Sequence, residues 1–434
     1  MLPSARLTAS RATLAAVCLA LIVPGAALAA GSLSTTTNSS YKLLPGQETI
    51  KVNVDVTLNN RKAPTARIQA CPSNPALRCR VTTNYYYNEW GNLYVPAGAT
   101  KLKIISPNVR ASVQERTKHW TVYKVSFPNL NYRQTRKIKA SYELPGGKPR
   151  SKHRTRVMDA YTYFCWHGEP GDRGKVTVEL PPGYEATTFG EKTRTRSNKK
   201  GTTITARAKG NPAKFYACTD AFKPSKLMRT EMTSPGGQQV IVEGWPEDPE
   251  WSEGIAEAVE GSLPELEELI GRPMPLDEVT LREVSKQSLY GYGSEFGVRR
   301  ALVRLGEHID NPVTAPRALA STWFNDRRIA DDWLNFGLSG WAGMEVGAFG
   351  CWPASDYPGK GKPRLGQWKQ LKEKPSERLE AVVDWQYDAA CNVIGDVADE
   401  IGEERMQAVI ASLLDDTPKY GPQPAESKGK FSKA

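Results

Sequence analysis

Histidine and cysteine are the side chains that most often bind metal ions or act as nucleophiles, so their positions limit the chemistry of this chain. The 434-residue chain has four histidines, at His119, His153, His167 and His308. Only His308 lies in the second half, where a lone histidine is more often structural than a zinc ligand. No two cysteines have the C-x-x-C spacing typical of zinc sites. These residue types alone predict no metal centre.

Lysine and arginine cluster in the first half of the chain and could bind a polyanion. The clusters comprise Arg133, Arg136, Lys137, Lys139, Lys148, Arg150, Lys152, His153, Arg154 and Arg156, followed by Lys192, Arg194, Arg196, Lys199 and Lys200. Anionic wall polymers and lipid headgroups are the ligands we expect, rather than nucleic acid. Two structural alternatives stay open: a solvated strand face, and a surface that docks on an acidic part of the same chain.

Aromatic side chains form a second group that could bind a ligand. They are Tyr85, Tyr86, Tyr87, Trp90 and Tyr94, next to Asn84 and Asn88. Aromatic rings on a β-scaffold can stack on sugar rings, although packing in a core or at a sheet edge is the commoner use.

The first thirty residues have the pattern of a secretory signal. Arg6 and Arg11 supply positive charge, a short apolar run follows, and Ala27-Leu28-Ala29 matches a cleavage site. We therefore predict cleavage after Ala29 and a location outside the cytoplasm, in the cell envelope or secreted. An uncleaved anchor is the alternative.

Six cysteines would remain after cleavage, because Cys18 lies in the signal. An even number in an exported protein indicates disulfides. Pairing each cysteine with its nearest neighbour in sequence predicts Cys71–Cys79, Cys165–Cys218 and Cys351–Cys391.

The charge changes sign along the chain and suggests two domains. Residues 31–240 carry 35 Lys and Arg against 13 Asp and Glu, whereas residues 241–434 carry 21 against 34. We predict a signal peptide at 1–29, a basic all-β domain at 30–240, an acidic α-rich domain at 241–416 and a disordered tail at 417–434. Short alternating runs with Pro and Gly turns predict a β-sandwich or saddle-like first domain, and helical periodicity predicts a mainly α-helical second domain. The fold class expected is α+β.

Residues 317–341, RALASTWFNDRRIADDWLNFGLSGW, resemble the active-site segment of the thermolysin-type zinc metallopeptidases known as gluzincins, in particular aminopeptidase-N-like enzymes. In that family one helix reads H-E-L-A-H-x-W-F and the next contains W-x-N-E-G. Leu319, Ala320, Trp323 and Phe324 fit the first helix, and Trp333, Asn335 and Gly337 fit the second. The resemblance implies a thermolysin-like second domain.

The residues that perform the family's chemistry are absent from this segment. Arg317 and Ser321 stand where the two zinc-binding histidines would be, Ala318 replaces the catalytic glutamate, and Phe336 replaces the third ligand. Arginine is always protonated and repels a cation, and phenylalanine offers no ligand atom. The resemblance therefore implies a lost zinc site, no metal cofactor and a protein without peptidase activity.

Four residues are the ligand-binding candidates that the resemblance leaves. Glu295, in the segment Gly291–Gly297, matches the glutamate that captures the substrate amine, and Trp323 and Asn335 belong to the retained framework. Arg317 would place a positive charge near the former zinc position, where it could pair with Glu295 or bind a peptide carboxylate.

The leading functional hypothesis is an exported pseudopeptidase that binds a peptide or an anionic ligand of the cell envelope. One alternative is an active metallopeptidase or other hydrolase with relocated ligands. Another is an adhesion module that binds the wall polymer or the membrane surface through the basic domain. The oligomeric state stays open.

Overall fold

The computed structural model describes residues 32–71, 74–289, 295–297, 299–308, 314–329, 331–347, 349–358 and 377–416. The predicted signal peptide, the predicted tail and residues 291–294 of the Gly-rich segment lie outside the described residues. All further statements concern the described part of the chain.

The first half of the chain consists of β-strands. They are β1 (Leu33–Leu44), β2 (Thr49–Asn60), β3 (Thr65–Cys71), β4 (Asn74–Thr83), β5 (Tyr87–Pro96), β6 (Thr100–Ile104), β7 (Arg110–Arg116), β8 (Trp120–Leu130), β9 (Thr135–Pro145), β10 (Arg156–Val157), β11 (Tyr161–His167), β12 (Arg173–Leu180), β13 (Glu185–Gly190), β14 (Arg194–Asn198), β15 (Gly201–Lys209) and β16 (Tyr216–Phe222). Four sheets result, ordered β14-β15-β12-β1-β2-β9-β6, β10-β11-β16-β13, β5-β8-β7 and β3-β4.

Alternation of side chains explains the seven-stranded sheet. In β2, Ile50, Val52 and Val54 are buried while Lys51 and Asp55 between them are exposed, as expected when one face of a sheet packs and the other meets water. The buried face packs on the four-stranded sheet. Its Tyr41 ring lies 6.3 Å from that of Phe164 and 6.4 Å from that of Trp166.

The contacts divide the chain into two compact units. The small unit comprises Leu58–Tyr87, Asn129–Arg136 and the described residues before Thr35. The large unit comprises Thr35–Thr57, Asn88–Pro128 and the chain from Lys137 onward. The large unit thus contains most of the strands and all of the helices described below.

A five-stranded mixed sheet forms the centre of the second half. Its strands are β17 (Met228–Thr233), β18 (Gln239–Gly244), β19 (Glu278–Val284), β20 (Glu295–Phe296) and β21 (Arg300–Gly306), in the order β17-β18-β19-β21-β20. The helices are α1 (Pro249–Ile270), α2 (Lys286–Leu289), α3 (Thr314–Ala320), α4 (Asp332–Val346), α5 (Glu377–Ile401) and α6 (Glu403–Asp416). Strands β18, β19 and β21 are parallel.

The expectation of an α+β protein with a mainly α-helical, thermolysin-like second domain is therefore wrong. Strands dominate the described chain, and a sheet lies at the core of its second half. The apolar side chains of β18, β19 and β21, such as Val242, Leu281 and Val303, pack with the buried stripe of α1 in one core. Helix α1 connects the parallel strands β18 and β19, the crossover that a parallel pair requires. The five strands extend on both sides of the expected boundary at residue 240.

Helix boundaries also differ from the sequence pattern. Glycine and proline both disfavour a helix interior, yet α1 continues through Gly261 and Pro264. Its buried residues, including Ile255, Val259 and Leu266, hold the helix against the core, and tertiary packing outweighs the local cost of proline. Gly271 ends the helix in the left-handed conformation. Helix α3 ends at Ala320, before Trp323 and Phe324 of the motif.

A buried network of charges joins the first sheets to the second half within the large unit. Arg156 and Glu307 are both fully buried and form a two-pronged ion pair, with N–O distances of 2.8 and 2.9 Å. The backbone N–H of Arg150 donates to Glu307 at 2.7 Å, and its guanidinium contacts Asp248 at 2.5 Å. The Tyr161 ring stacks on Trp245 at 4.5 Å. The two halves thus share one polar and aromatic core.

Candidate functional site

The outward face of the seven-stranded sheet is the most strongly charged surface that the register defines. Outward residues of β12 lie opposite outward residues of β15 and β1, so Lys175 pairs in register with Arg207 and with Asn38. Arg194 and Arg196 of β14 lie opposite Thr205 and Thr203, which share that face. We call this surface the basic sheet face.

The basic sheet face carries cations from every strand of the sheet. They are Lys42, Lys51, Lys101, Lys103, Lys137, Lys139, Arg173, Lys175, Arg194, Arg196 and Arg207. The carboxylates on the same face are Asp55, Glu143 and Glu179. Two of these form ion pairs: Lys101 contacts Glu143 at 2.8 Å, and Lys139 contacts Asp55 at 3.9 Å. The face as a whole is therefore strongly positive.

The arrangement of these cations suits an extended anion. Neighbouring strands lie ~4.8 Å apart, so seven strands present roughly 29 Å of open surface. Lys175 and Arg207 have the same charge and lie directly opposite each other, an arrangement that destabilises a sheet. A bound polyanion would remove that repulsion. Because the side chains are exposed, salt should weaken the attraction.

The structure separates the predicted basic clusters into different groups. Lys137, Lys139, Arg194 and Arg196 belong to the basic sheet face, with Lys199 and Lys200 at the turn after β14. Arg150 and Arg156 instead belong to the charge network with Asp248 and Glu307. For these two arginines, docking on the acidic half is the interpretation that the structure supports.

The four positions of the altered zinc motif lie on helices α3 and α4 or directly after α3. Ala318 is buried, and the Ser321 hydroxyl donates to the Ala318 carbonyl at 2.5 Å. The Arg317 guanidinium lies 3.8 Å from the centre of the Tyr387 ring on α5. The Phe336 ring lies 4.4 Å from the same tyrosine. Arg317 and Phe336 thus share a neighbour, as expected for positions on adjoining helices.

The space beside Arg317 is small. The cavity is lined by Arg317, Gly340, Met344, Trp352, Tyr387, Asp388 and Cys391. It offers about 10 Å³ for the centres of water molecules, which is room for roughly one water. Burial raises the pKa values of Tyr387 and Asp388, and the charge of Arg317 opposes both shifts. Among the described residues, Arg317 therefore packs against α5 and does not line a peptide-sized cleft.

The other ligand-binding candidates have structural partners. Glu295 contacts Arg304 at 2.7 Å, and not Arg317 as the sequence hypothesis suggested, because both lie on paired strands of the mixed sheet. Trp323 is buried and donates its indole N–H to Pro273 O at 3.1 Å. Asn335 is buried in α4 and accepts, through its backbone carbonyl, the Ser339 hydroxyl at 2.7 Å. The structure does not bring these candidates to one site with Arg317.

The aromatic group does not form one exposed platform. Trp90 is buried, whereas Tyr86 is 54% exposed. The Tyr94 ring contacts Trp120 edge-on at 6.2 Å, and the Tyr87 hydroxyl donates to Ser32 at 2.6 Å. Packing explains most of these rings, as the commoner use of aromatic residues suggests.

The three disulfides are those that nearest-neighbour pairing predicts. Cys71 is bonded to Cys79, Cys165 to Cys218 and Cys351 to Cys391. Cys165–Cys218 joins β11 to β16, and Cys351–Cys391 ties the segment after α4 to α5. Such bonds are compatible with an exported protein.

Sequence reasoning missed most of the cations on the basic sheet face. The missed residues are scattered along the chain and form no cluster in sequence: Lys42, Lys51, Lys101, Lys103, Arg173, Lys175 and Arg207. Some of them alternate with buried apolar residues, as Lys42 does with Tyr41 and Leu43 and Lys51 with Ile50 and Val52. That alternation was the available signal, but only the strand order brings these residues together.

The described residues include no group of three or more His, Cys, Asp or Glu side chains that could hold a metal ion. Within the same residues, no helix is long and apolar enough to cross a membrane. Comparison of the chain with models of known protein families finds no match, and comparison with curated protein sequences finds none either.

Proposed function

We propose that the chain is an extracytoplasmic binding protein that holds an anionic polymer of the cell envelope on its basic sheet face. The observation that carries this proposal is the excess of lysine and arginine on one open face of the seven-stranded sheet. A second support is the like-charged register pair Lys175 and Arg207, which folding alone does not favour. The disulfides and the signal-like N-terminus agree with export.

We further propose that the second half supports binding and not catalysis. The residues at the zinc-motif positions pack between helices: Arg317 lies on Tyr387, and Ser321 bonds to its own helix. The second half also completes the buried core around Arg156 and Glu307. Its role in this proposal is to hold the sheet that carries the basic face.

Binding of the mature chain to dextran sulfate, a polyanion without bases or lipid, tests the proposal. The variant Lys175→Gln/Arg194→Gln/Arg207→Gln removes three cations from the face. Each exposed ion pair contributes ~0.5 kcal/mol, so we expect the dissociation constant to rise about tenfold at low salt. The wild-type affinity should also fall steeply as salt increases.

A matched control removes the same charge elsewhere. Arg110, Arg116 and Lys118 are exposed and lie in or beside β7 of the three-stranded sheet. Their triple change to glutamine should alter dextran sulfate binding by less than about twofold if the sheet face is the site. Equal losses in both triple variants would show that net charge, and not this face, attracts the polymer.

A further inference from the structure

The hairpin formed by β3 and β4 differs from the other sheets because it has only two strands and water on both faces. Arg67 of β3 lies opposite Val81 of β4, and Ile68 lies opposite Arg80. All four side chains are exposed, Ile68 to 75% and Val81 to 38%. A two-stranded hairpin is marginally stable alone in water, so this one needs other support.

That support comes from a disulfide and from the base of the hairpin. Cys71 and Cys79 link the two strands. At the other end, the Thr65 hydroxyl lies 3.2 Å from the Tyr85 hydroxyl, and the Lys62 ammonium lies 3.8 Å from the centre of the Tyr85 ring. The hairpin is thus held in shape without burial of either face.

Each face of the hairpin combines an aliphatic side chain with arginine. Directly opposed residues share a face, and successive residues alternate between faces. Ile68 therefore shares a face with Arg80 and with Arg78, which lies two positions from Arg80. The other face carries Arg67 beside Val81. Ile68 is thus an exposed aliphatic side chain beside two arginines of the neighbouring strand.

The charge of the surrounding small unit has one sign. Its described residues include Arg61, Lys62, Arg67, Arg78, Arg80, Arg133 and Arg136, and its segments contain no Asp or Glu. No carboxylate of the small unit is therefore available to neutralise the hairpin arginines. A ligand that complements this hairpin would therefore carry negative charge and offer an apolar layer to the exposed Ile68.

We propose that the hairpin binds the surface of an anionic lipid bilayer. Ile68 enters the boundary between headgroups and acyl chains, while Arg78 and Arg80 bond to lipid phosphates. Arginine suits this position because its planar guanidinium forms two-pronged bonds with phosphate. A hydrophilic polymer would satisfy the arginines but would leave Ile68 in water. This site is separate from the basic sheet face and does not depend on the function proposed above.

Vesicle binding tests the proposal. The mature full-length chain is mixed with vesicles of phosphatidylcholine and phosphatidylglycerol at a 3:1 ratio (~25% anionic lipid), and with pure phosphatidylcholine vesicles. We expect at least about tenfold stronger binding to the anionic vesicles. Ile68→Ser should weaken that binding about fivefold, because it removes the aliphatic side chain that enters the bilayer boundary in this proposal. Arg78→Gln/Arg80→Gln should weaken binding to the anionic vesicles about fivefold and leave binding to pure phosphatidylcholine unchanged, while the cations of the basic sheet face keep part of the preference for anionic lipid.

Matched controls keep the result interpretable. Val113 on β7 is 45% exposed, so Val113→Ser removes a comparable aliphatic group outside the hairpin. Arg110→Gln/Arg116→Gln removes the same charge as the hairpin double variant. Because all the altered side chains are exposed, these variants should fold. Mass spectrometry of the disulfide-bonded proteins and thermal unfolding midpoints equal to that of the wild type verify this.

Three outcomes would overturn the proposal. The first is absence of wild-type binding to the anionic vesicles. The second is equal weakening by hairpin and control variants. The third is loss of dextran sulfate binding in the hairpin variants with vesicle binding unchanged, because that would assign the hairpin to a polymer. Failure of the sheet-face test leaves the vesicle result unaffected, since the two sets of variants differ.

Discussion

At the residue scale, the Arg156–Glu307 pair is the contact on which the junction of the two halves depends. Both groups are fully buried, and Arg156 also donates to Ser151 O at 2.9 Å. A charge in such a place is stable only while its partner is present.

Arg156→Met should therefore lower the free energy of unfolding by about 3–5 kcal/mol, because Glu307 loses its partner. The double variant Arg156→Met/Glu307→Leu should recover much of that loss, since an apolar pair leaves no charge buried. Urea denaturation of the three proteins measures both effects. If the double variant were as unstable as the single one, the loss of stability would come from the changed side-chain shape at position 156 and not from the unpaired charge of Glu307.

Glu283 is a second buried carboxyl group at the same junction. Its pKa is raised from 4.5 to about 9: burial is the largest cause, Asp248 and Glu307 contribute to the rise, and the backbone N–H of Trp245, which donates at 2.7 Å, opposes it. The folded protein thus holds a proton there that the unfolded chain releases above pH 4.5. The protonated Glu283 carboxyl therefore stabilises the folded protein fully below pH 4.5, and this stabilisation is lost as the pH rises through about 9.

We expect the free energy of unfolding to fall from pH 5 to pH 9 more steeply in the wild type than in Glu283→Gln, because glutamine cannot ionise. The two proteins should be similar near pH 5 and should diverge at alkaline pH in favour of the variant. Denaturant titrations across this range measure the difference. Parallel curves would show that Glu283 is ionised in the fold. Asp220, whose pKa burial raises to about 6, is present in both proteins.

At the element scale, glycine allows α3 and α4 to lie close together. A Cβ at Gly343 would lie 2.5 Å from the Arg317 Cα, where backbone would have to move. Gly337 is similarly close to α5, since its Cβ would lie 2.8 Å from the Ala390 carbonyl oxygen. Gly261 in α1 has open space at the same position.

Gly343→Ala should destabilise the protein by about 1–3 kcal/mol, because α3 and α4 must separate. Gly261→Ala is the matched control, and it should stabilise by about 0.5–1 kcal/mol, since alanine favours the helix and meets nothing. Thermal unfolding of both variants shows whether each substitution raises or lowers the stability of the protein. A neutral Gly343→Ala would indicate that the helix contact yields without strain.

The elements themselves were partly predictable from sequence. Alternation located strands such as β2 and β19, because one or both of their faces are buried and the pattern is strong. The strength of packing around α1 is not visible in the residues, so the sequence alone does not show that the helix continues through Pro264. The mixed sheet was missed as a unit because β17 and β18 precede a long helix, and sequence order does not show which strands pair.

At the scale of the whole molecule, the charge asymmetry between the halves has two structural causes. Part of the positive charge, as in Arg150 and Arg156, meets carboxylates of the second half. Another part lies on the basic sheet face and the hairpin, and exposed residues such as Arg110 and Lys118 lie elsewhere. The composition alone shows the excess of positive charge in the first half. Only the fold shows which arginines and lysines contact carboxylates and which stay exposed. The two helices of residues 317–341 could be expected from the sequence, whereas the small cavity beside Arg317 depends on α5, which begins far along the chain at Glu377.

The edge of the seven-stranded sheet gives the basic face a further consequence. Strand β14 ends the sheet, is five residues long and is exposed throughout. Unpaired backbone groups at such an edge invite a strand from another molecule, and charged side chains are a common protection against this. Arg194 and Arg196 supply that protection in the free protein. A polyanion that neutralises them would also remove the barrier to edge-to-edge pairing, so occupancy of the face and self-assembly of the protein become coupled.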